Sequence, residues 1–177
     1  DKRVRAASVS QGKRYAERWC AARILEGVPL RQAVQQLTAK ERDIILRSLD
    51  QFEKFTGRKS KGWLSSSLRG TMQTADILAE YGCTFYCDIM NDDQPYLLRT
   101  PHGPIVSTPY SNEINDFTFI TRKNYTTNEY RDALIEELDV LYAEGARTGR
   151  IMNLGLHPHV SGRAHRVRAL REFIEHA

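Results

Sequence analysis

Four short runs of apolar, aromatic and β-branched residues in this chain are each followed at once by a polar cluster. Trp63 leads into Ser65-Ser66-Ser67, Cys87 into Asp88 through Gln94, Pro109 into Tyr110 through Asp116, and Leu156 into His157-Pro158-His159. Between them lie segments with helical periodicity. Strands bounded by turn residues and alternating with helices predict an α/β architecture with a mostly parallel sheet. In such sheets the C-terminal ends of the strands share one edge, so residues remote in sequence meet there. The spacing therefore predicts that the four polar clusters face one pocket.

The helical segments have readable ends. Thr38-Ala39-Lys40-Glu41 fits an N-cap with Glu at the third helical position, ahead of Ile44, Ile45, Leu49, Phe52 and Phe55 on one face and a stop at Gly57. A helix from about Thr74 to Tyr81 ends at Gly82, and Thr127 caps a long one whose stripe is Tyr130, Leu134, Leu138, Leu141 and Tyr142, ending at Gly145. Strands are expected at Lys61–Leu64, Cys83–Ile89, Ile105–Pro109 and Arg150–Leu156, the last apolar enough to be covered on both faces. A final helix turns Val167, Leu170 and Ile174 inward. Upstream, Asp1 to Gln11 fits a short helix, Lys13 to Leu25 has mixed periodicity, and Gly27-Val28-Pro29 is a break.

The chemistry narrows from there. No Gly-rich phosphate loop, Gly-x-Ser-x-Gly elbow or His-Glu-x-x-His is present, which removes the usual signatures of nucleotide binding, serine hydrolysis and zinc proteolysis. An imidazole at the end of an apolar strand is costly unless hydrogen-bonded or used, which singles out His157. His157 and His159 could also form a metal pair, but Pro158 bends the chain and no third ligand has recognisable spacing. Asn91-Asp92-Asp93-Gln94-Pro95 is equally good turn chemistry. Cys83 and Cys87 read as small core residues.

Length and charge set outer bounds. The 177 residues suffice for one domain with a core, and no apolar run approaches the 18 residues of a membrane span. Three cysteines are too few for a disulfide scaffold, and their odd number points to a reducing, cytoplasmic setting. Residues 1–70 hold 16 Lys/Arg against 7 Asp/Glu, whereas the remainder holds 10 against 15. The basic residues are scattered singly without interleaved aromatics, which favours a solvated helical surface over a nucleic-acid partner. The chain begins at Asp1 with no initiator Met, the pattern of a piece of something longer or of a processed chain.

Gly62-Trp63-Leu64, Thr74-Ala75-Asp76-Ile77-Leu78-Ala79-Glu80-Tyr81-Gly82, Cys87-Asp88 with Asn91-Asp92-Asp93-Gln94-Pro95-Tyr96, Pro109-Tyr110-Ser111-Asn112-Glu113-Ile114-Asn115-Asp116 and Leu156-His157-Pro158-His159 occur in that order. Together, over about residues 40–177, they resemble the polysaccharide deacetylase superfamily (NodB-like), and within it the intracellular branch that includes bacterial allantoinases. The resemblance implies the C-terminal part of a distorted (β/α) barrel, as a single partial domain in which residues 1–37 are divergent and 38–177 family-like. It implies hydrolysis of non-peptide C–N (amide) bonds, in carbohydrate or allantoin metabolism, on a small amide or an N-acetylated glycan. His157 matches the family's late acid. Asp92 or Asp93 would supply a catalytic carboxylate, while Trp63, Asp88, Asn91, Gln94, Tyr110, Glu113, Asn115 and His159 would line the substrate site.

The family's early motifs, which carry a general base and the ligands of a divalent metal, have no counterpart here. Trp19-Cys20-Ala21-Ala22-Arg23 stands about where a His-Gly is expected. No cofactor is therefore expected in this chain, and zinc only with ligands from a preceding segment. The alternative is an inactive truncated homologue, or a module that binds a small amide or glycan. Two exposed strand edges of a half-barrel predict a homo-oligomer, and neither a membrane nor nucleic acid is an expected partner.

Overall fold

A computed structural model describes residues 22–23 and 25–177. The helix expected at Asp1–Gln11, most of the Lys13–Leu25 stretch and Trp19–Ala21 lie outside them. The chain divides into two compact units: one extends to Asn91 and includes Tyr96–Thr108, the other comprises Asp92–Pro95 and Pro109–Ala177.

In the first unit, helix α1 spans Leu30–Thr56 and begins directly after Pro29. It starts eight residues before the expected cap, because Arg31 to Gln36 are mostly good helix formers and Pro is well suited to a helix start. Thr38 thus lies inside the helix, its hydroxyl donating to the Val34 carbonyl at 3.1 Å. Glu41 does not close a capping box; its carboxylate accepts from the hydroxyls of Thr71 (2.5 Å) and Thr74. Ala33, Leu37, Ile45 and Leu49 are buried, whereas Ile44, Phe52 and Phe55 are exposed, so the buried face is offset from the expected stripe. Gly57 ends α1 in the left-handed region at φ 70°, as its position predicts.

Four strands follow: β1 (Gly62–Trp63), β2 (Phe85–Tyr86), β3 (Tyr96–Thr100) and β4 (Gly103–Ser107). Their order in the sheet is β1-β2-β4-β3, with β1, β2 and β4 parallel and β3 antiparallel to β4. Helix α2, Thr74–Tyr81, lies between β1 and β2 and ends at Gly82 as expected. The β3–β4 hairpin is absent from the sequence reading: Pro95 and Pro101 bracket Tyr96–Thr100 and make it look like loop. Thr100 pairs with Gly103 across the turn, where Gly103 takes φ 106°. Ile45, Leu49, Ile77, Leu78, Cys83, Tyr86 and Ile105 form the core of this unit. The strand expected over Cys83–Ile89 shrinks to two residues, because the chain beyond it turns to bury Asp88.

In the second unit a π-helical turn, Phe117–Arg122, leads to α3 (Thr127–Gly145), the short α4 (Pro158–Ser161) and α5 (Ala164–His176). The cap of α3 is Thr126, one residue before the expected Thr127. Thr126 Oγ1 accepts from the Glu129 N–H, and the Glu129 carboxylate accepts the Thr126 N–H at 2.7 Å. Thr126→Ala is expected to cost about 1 kcal/mol, read as a lower urea midpoint at unchanged m-value.

Arg150–Leu156 is not a strand; no strand pairs with it among the described residues. Its side chains divide, Met152 and Leu154 packing against the Ile114, Ile120, Tyr130, Leu134, Val160 and Phe173 core while Ile151 and Leu156 are exposed. An apolar run of this length satisfies a helix-packed loop as well as a two-sided strand. Tyr142 and Ile174, expected inside, are 84% and 69% exposed.

Candidate functional site

The most constrained polar group of the second unit is Asp116, wholly buried at the end of the Tyr110–Asp116 loop. Its N–H donates to the Gly155 carbonyl at 3.0 Å, which ties the loop to the extended segment before His157. Asn115, also buried, accepts the N–H groups of Phe117 (2.9 Å) and Thr118 (3.3 Å) on its side-chain oxygen and so starts the π turn. Its amide donates to the Tyr110 hydroxyl at 2.7 Å. This packing requires Gly155, since a Cβ there would stand 2.5 Å from Asn115 Nδ2 and 2.7 Å from the Tyr110 hydroxyl.

Both oxygens of Asp116 are occupied. Oδ2 accepts the His157 N–H at 2.8 Å and the Ser161 hydroxyl at 2.5 Å, and Oδ1 lies 2.6 Å from His157 Nδ1. Burial alone would raise the carboxyl pKa, but the hydrogen bonds from the His157 N–H, the Ser161 hydroxyl and the His157 ring outweigh it and hold Asp116 below the usual carboxylate value. An ionised Asp116 can only accept, so Nδ1 carries the proton and Nε2 is left for chemistry. His157 caps α4 in extended backbone with Pro158 at its first position, and 39% of its side chain is open to solvent. Phe117 packs beside it at 5.5 Å between ring centroids, and His159 at 5.7 Å.

The other candidates fall differently. Asp92 is exposed and accepts the Gln94 N–H at 3.0 Å, an Asx turn. Asp93 is 73% exposed and lies 3.7 Å from Arg150, which also pairs with Glu144 at 2.8 Å. The carboxylate on His157 is therefore Asp116, not Asp92 or Asp93. Glu113 is 86% exposed and faces Lys123 at 3.8 Å.

In the first unit, Trp63 Nε1 donates to Ser65 Oγ at 2.8 Å, and the Ser65 N–H to Asp88 Oδ1 at 2.7 Å. Asp88 Oδ2 accepts the Gly70 N–H and the Tyr86 hydroxyl, both at 3.1 Å. Burial pushes the Asp88 pKa up, against the pull of those donors. Asp88 thus clamps both ends of the 65–70 loop, in which Ser67 and Leu68 take φ 57° and 54°. Asn91 accepts from the Tyr96 hydroxyl at 2.6 Å.

Sequence reasoning missed Asp116 and Ser161 as site residues. The available signal was spacing: Ser161 lies one helical turn after His157, and Asp116 ends a polar loop between Ile114 and Phe117. Among the described residues no three His, Cys, Asp or Glu side chains are grouped to hold a metal ion. With both Asp116 oxygens and His157 Nδ1 engaged in hydrogen bonds, the dyad offers a metal ion at most one ligand atom, His157 Nε2.

No protein-family model matches the chain. A Schizosaccharomyces pombe protein classed as a polysaccharide deacetylase is 29% identical over 103 residues, covering 52% of this chain and 32% of that protein. The crystal structure of PuuE allantoinase superposes with a TM-score of 0.69 at 33% identity, covering 77% of this chain and 46% of that one. A Pseudomonas aeruginosa PAO1 structure, also classed as a polysaccharide deacetylase, gives 0.70 at 30% identity, covering 78% and 47%. The chain spans less than half the length of each of these proteins. In sequence and in fold, it is a partial match to the polysaccharide deacetylase superfamily (NodB-like), a family of carbon–nitrogen hydrolases that includes the allantoinase.

Proposed function

We propose that this chain carries the general-acid part of a hydrolase for non-peptide C–N bonds, acting on a small amide such as allantoin or on an N-acetylated glycan. The observation that supports it is the Asp116–His157 pair, 2.6 Å apart, with the imidazole open to solvent. Amide hydrolysis needs water added to the carbonyl carbon, a tetrahedral oxyanion stabilised, and the leaving nitrogen protonated as the C–N bond breaks. Protonated His157, held through Nδ1, donates the Nε2 proton to that nitrogen. Tyr110, Asn115 and His159 flank or brace the same place and are proposed substrate contacts or supports. The proton lost by water goes to a base outside the dyad, because Asp116 is consumed by its donors. Any zinc that takes part would need further ligands from outside the described residues.

The occupied Asp116 also favours a second reading, a module that binds a small amide or glycan without turnover. Assay of the 177-residue chain against allantoin and N-acetylated sugars, with and without zinc, separates the two. Turnover of either class supports the hydrolase; saturable binding without turnover supports the module. The proposed setting is cytoplasmic, in keeping with unbridged Cys83 and Cys87, and no described helix is long and apolar enough to cross a membrane. A homo-oligomer is proposed from the outermost strands β1 and β3.

A further inference from the structure

Ser161 is buried and spends its hydroxyl on Asp116 Oδ2 at 2.5 Å. The His157 N–H shares that oxygen at 2.8 Å, so the two donors together fix the carboxylate plane and leave Oδ1 alone to face Nδ1 at 2.6 Å. Residues 157 and 161 stand on one face of the α4 turn, where the Ser161 N–H also donates to the His157 carbonyl at 2.9 Å. Donation therefore converges on the carboxylate: the Ser161 hydroxyl and the His157 N–H meet Oδ2, and the imidazole Nδ1–H meets Oδ1.

We propose that Ser161 is a positioning residue, fixing Asp116 in the orientation that holds His157 in its Nδ1-protonated form with Nε2 outward. The proposal rests on the hydrolase reading for its consequence in catalysis, but not for its structural content. Without the hydroxyl, Oδ2 keeps one donor, the carboxylate can turn about its own axis, and the ring loses its single preferred acceptor. Other groups around the ring do not replace that constraint. His159 meets His157 edge-on, Arg122 lies over the Phe117 ring at 5.3 Å, and the Tyr130 hydroxyl points to the Ile114 carbonyl at 3.4 Å.

The test uses the whole chain with 15N-labelled histidine. In Ser161→Ala, exchange of the His157 Nδ1 proton with water is expected to accelerate about 10-fold, the equivalent of one hydrogen bond to a charged acceptor. The Asp116 carboxyl titration should move up, and Ser161→Thr should restore both. Where turnover is measurable, kcat should fall about 10-fold with KM unchanged. A folded Ser161→Ala chain whose Nδ1 proton exchanges as slowly as the wild type overturns the proposal. Should Thr not fold at this buried site, the Ala exchange rate alone decides. Saturable binding with no turnover, together with faster Nδ1 exchange in Ser161→Ala, favours the binding module over the hydrolase and leaves the positioning role standing.

Discussion

Replacing His157 with alanine is expected to lower amide hydrolysis by about 10²–10⁴-fold, the usual contribution of a positioned acid–base group, with an unchanged far-UV spectrum. The loss follows from the leaving nitrogen: an unprotonated amide nitrogen is a poor leaving group, and His157 is the imidazole held by a buried carboxylate. The fold should survive because the ring is 39% exposed and water can reach the vacated Oδ1, while the His157 backbone N–H still meets Oδ2. Asp116→Asn provides the matching control. Its amide can keep an oxygen toward the backbone N–H and the Ser161 hydroxyl, but turns an NH2 toward Nδ1 and so reverses the tautomer. Activity should then fall with only a modest change in stability. Turnover retained in His157→Ala would remove His157 from the mechanism.

The parts of the molecule that were legible in the sequence are those set by local signals. Helix α2 and its Gly82 stop, the glycine end of α1 and the existence of α3 all follow from periodicity and glycine chemistry. Several of the errors share a cause: a local signal that a distant partner outbid. Glu41 looked like a capping residue and serves Thr71 and Thr74 instead, thirty or more residues away. Ile151–Leu156 had the composition of a covered strand, but Met152 and Leu154 found a helical core and no ladder formed. For the site, His157 was visible because an imidazole ending an apolar run is unusual. Its partner was not, since an Asp in a loop rich in Asn and Glu carries no mark of burial; only the approach of Gly155 and Ser161 from elsewhere in the chain makes Asp116 different from Asp92 or Asp93.

Asp116→Ala should be among the most destabilising changes in the second unit, by about 3–5 kcal/mol, the range for stripping one partner from a buried ionic cluster. Alanine leaves the Ser161 hydroxyl and the His157 N–H facing a cavity with no acceptor, and an unsatisfied buried donor costs about 1–3 kcal/mol by itself. The cost depends on pH. Asp116 is held below its ordinary value in the folded chain, so the folded state binds its proton less readily than the unfolded one. The stability this contributes is present in full above the unfolded carboxyl value, near 3.9, and is lost as pH falls through the lower folded one. The gap between wild type and Asp116→Ala, from urea denaturation followed by far-UV circular dichroism, should therefore be widest at neutral pH and narrow below about pH 4. A gap under about 1 kcal/mol at neutral pH, or one that stays constant into acid, would mean that the carboxylate is solvated in solution. The Asp116–His157–Ser161 cluster would then lack the rigidity needed to hold an acid catalyst, because a carboxylate free to exchange its donors with water cannot hold an imidazole in one tautomer.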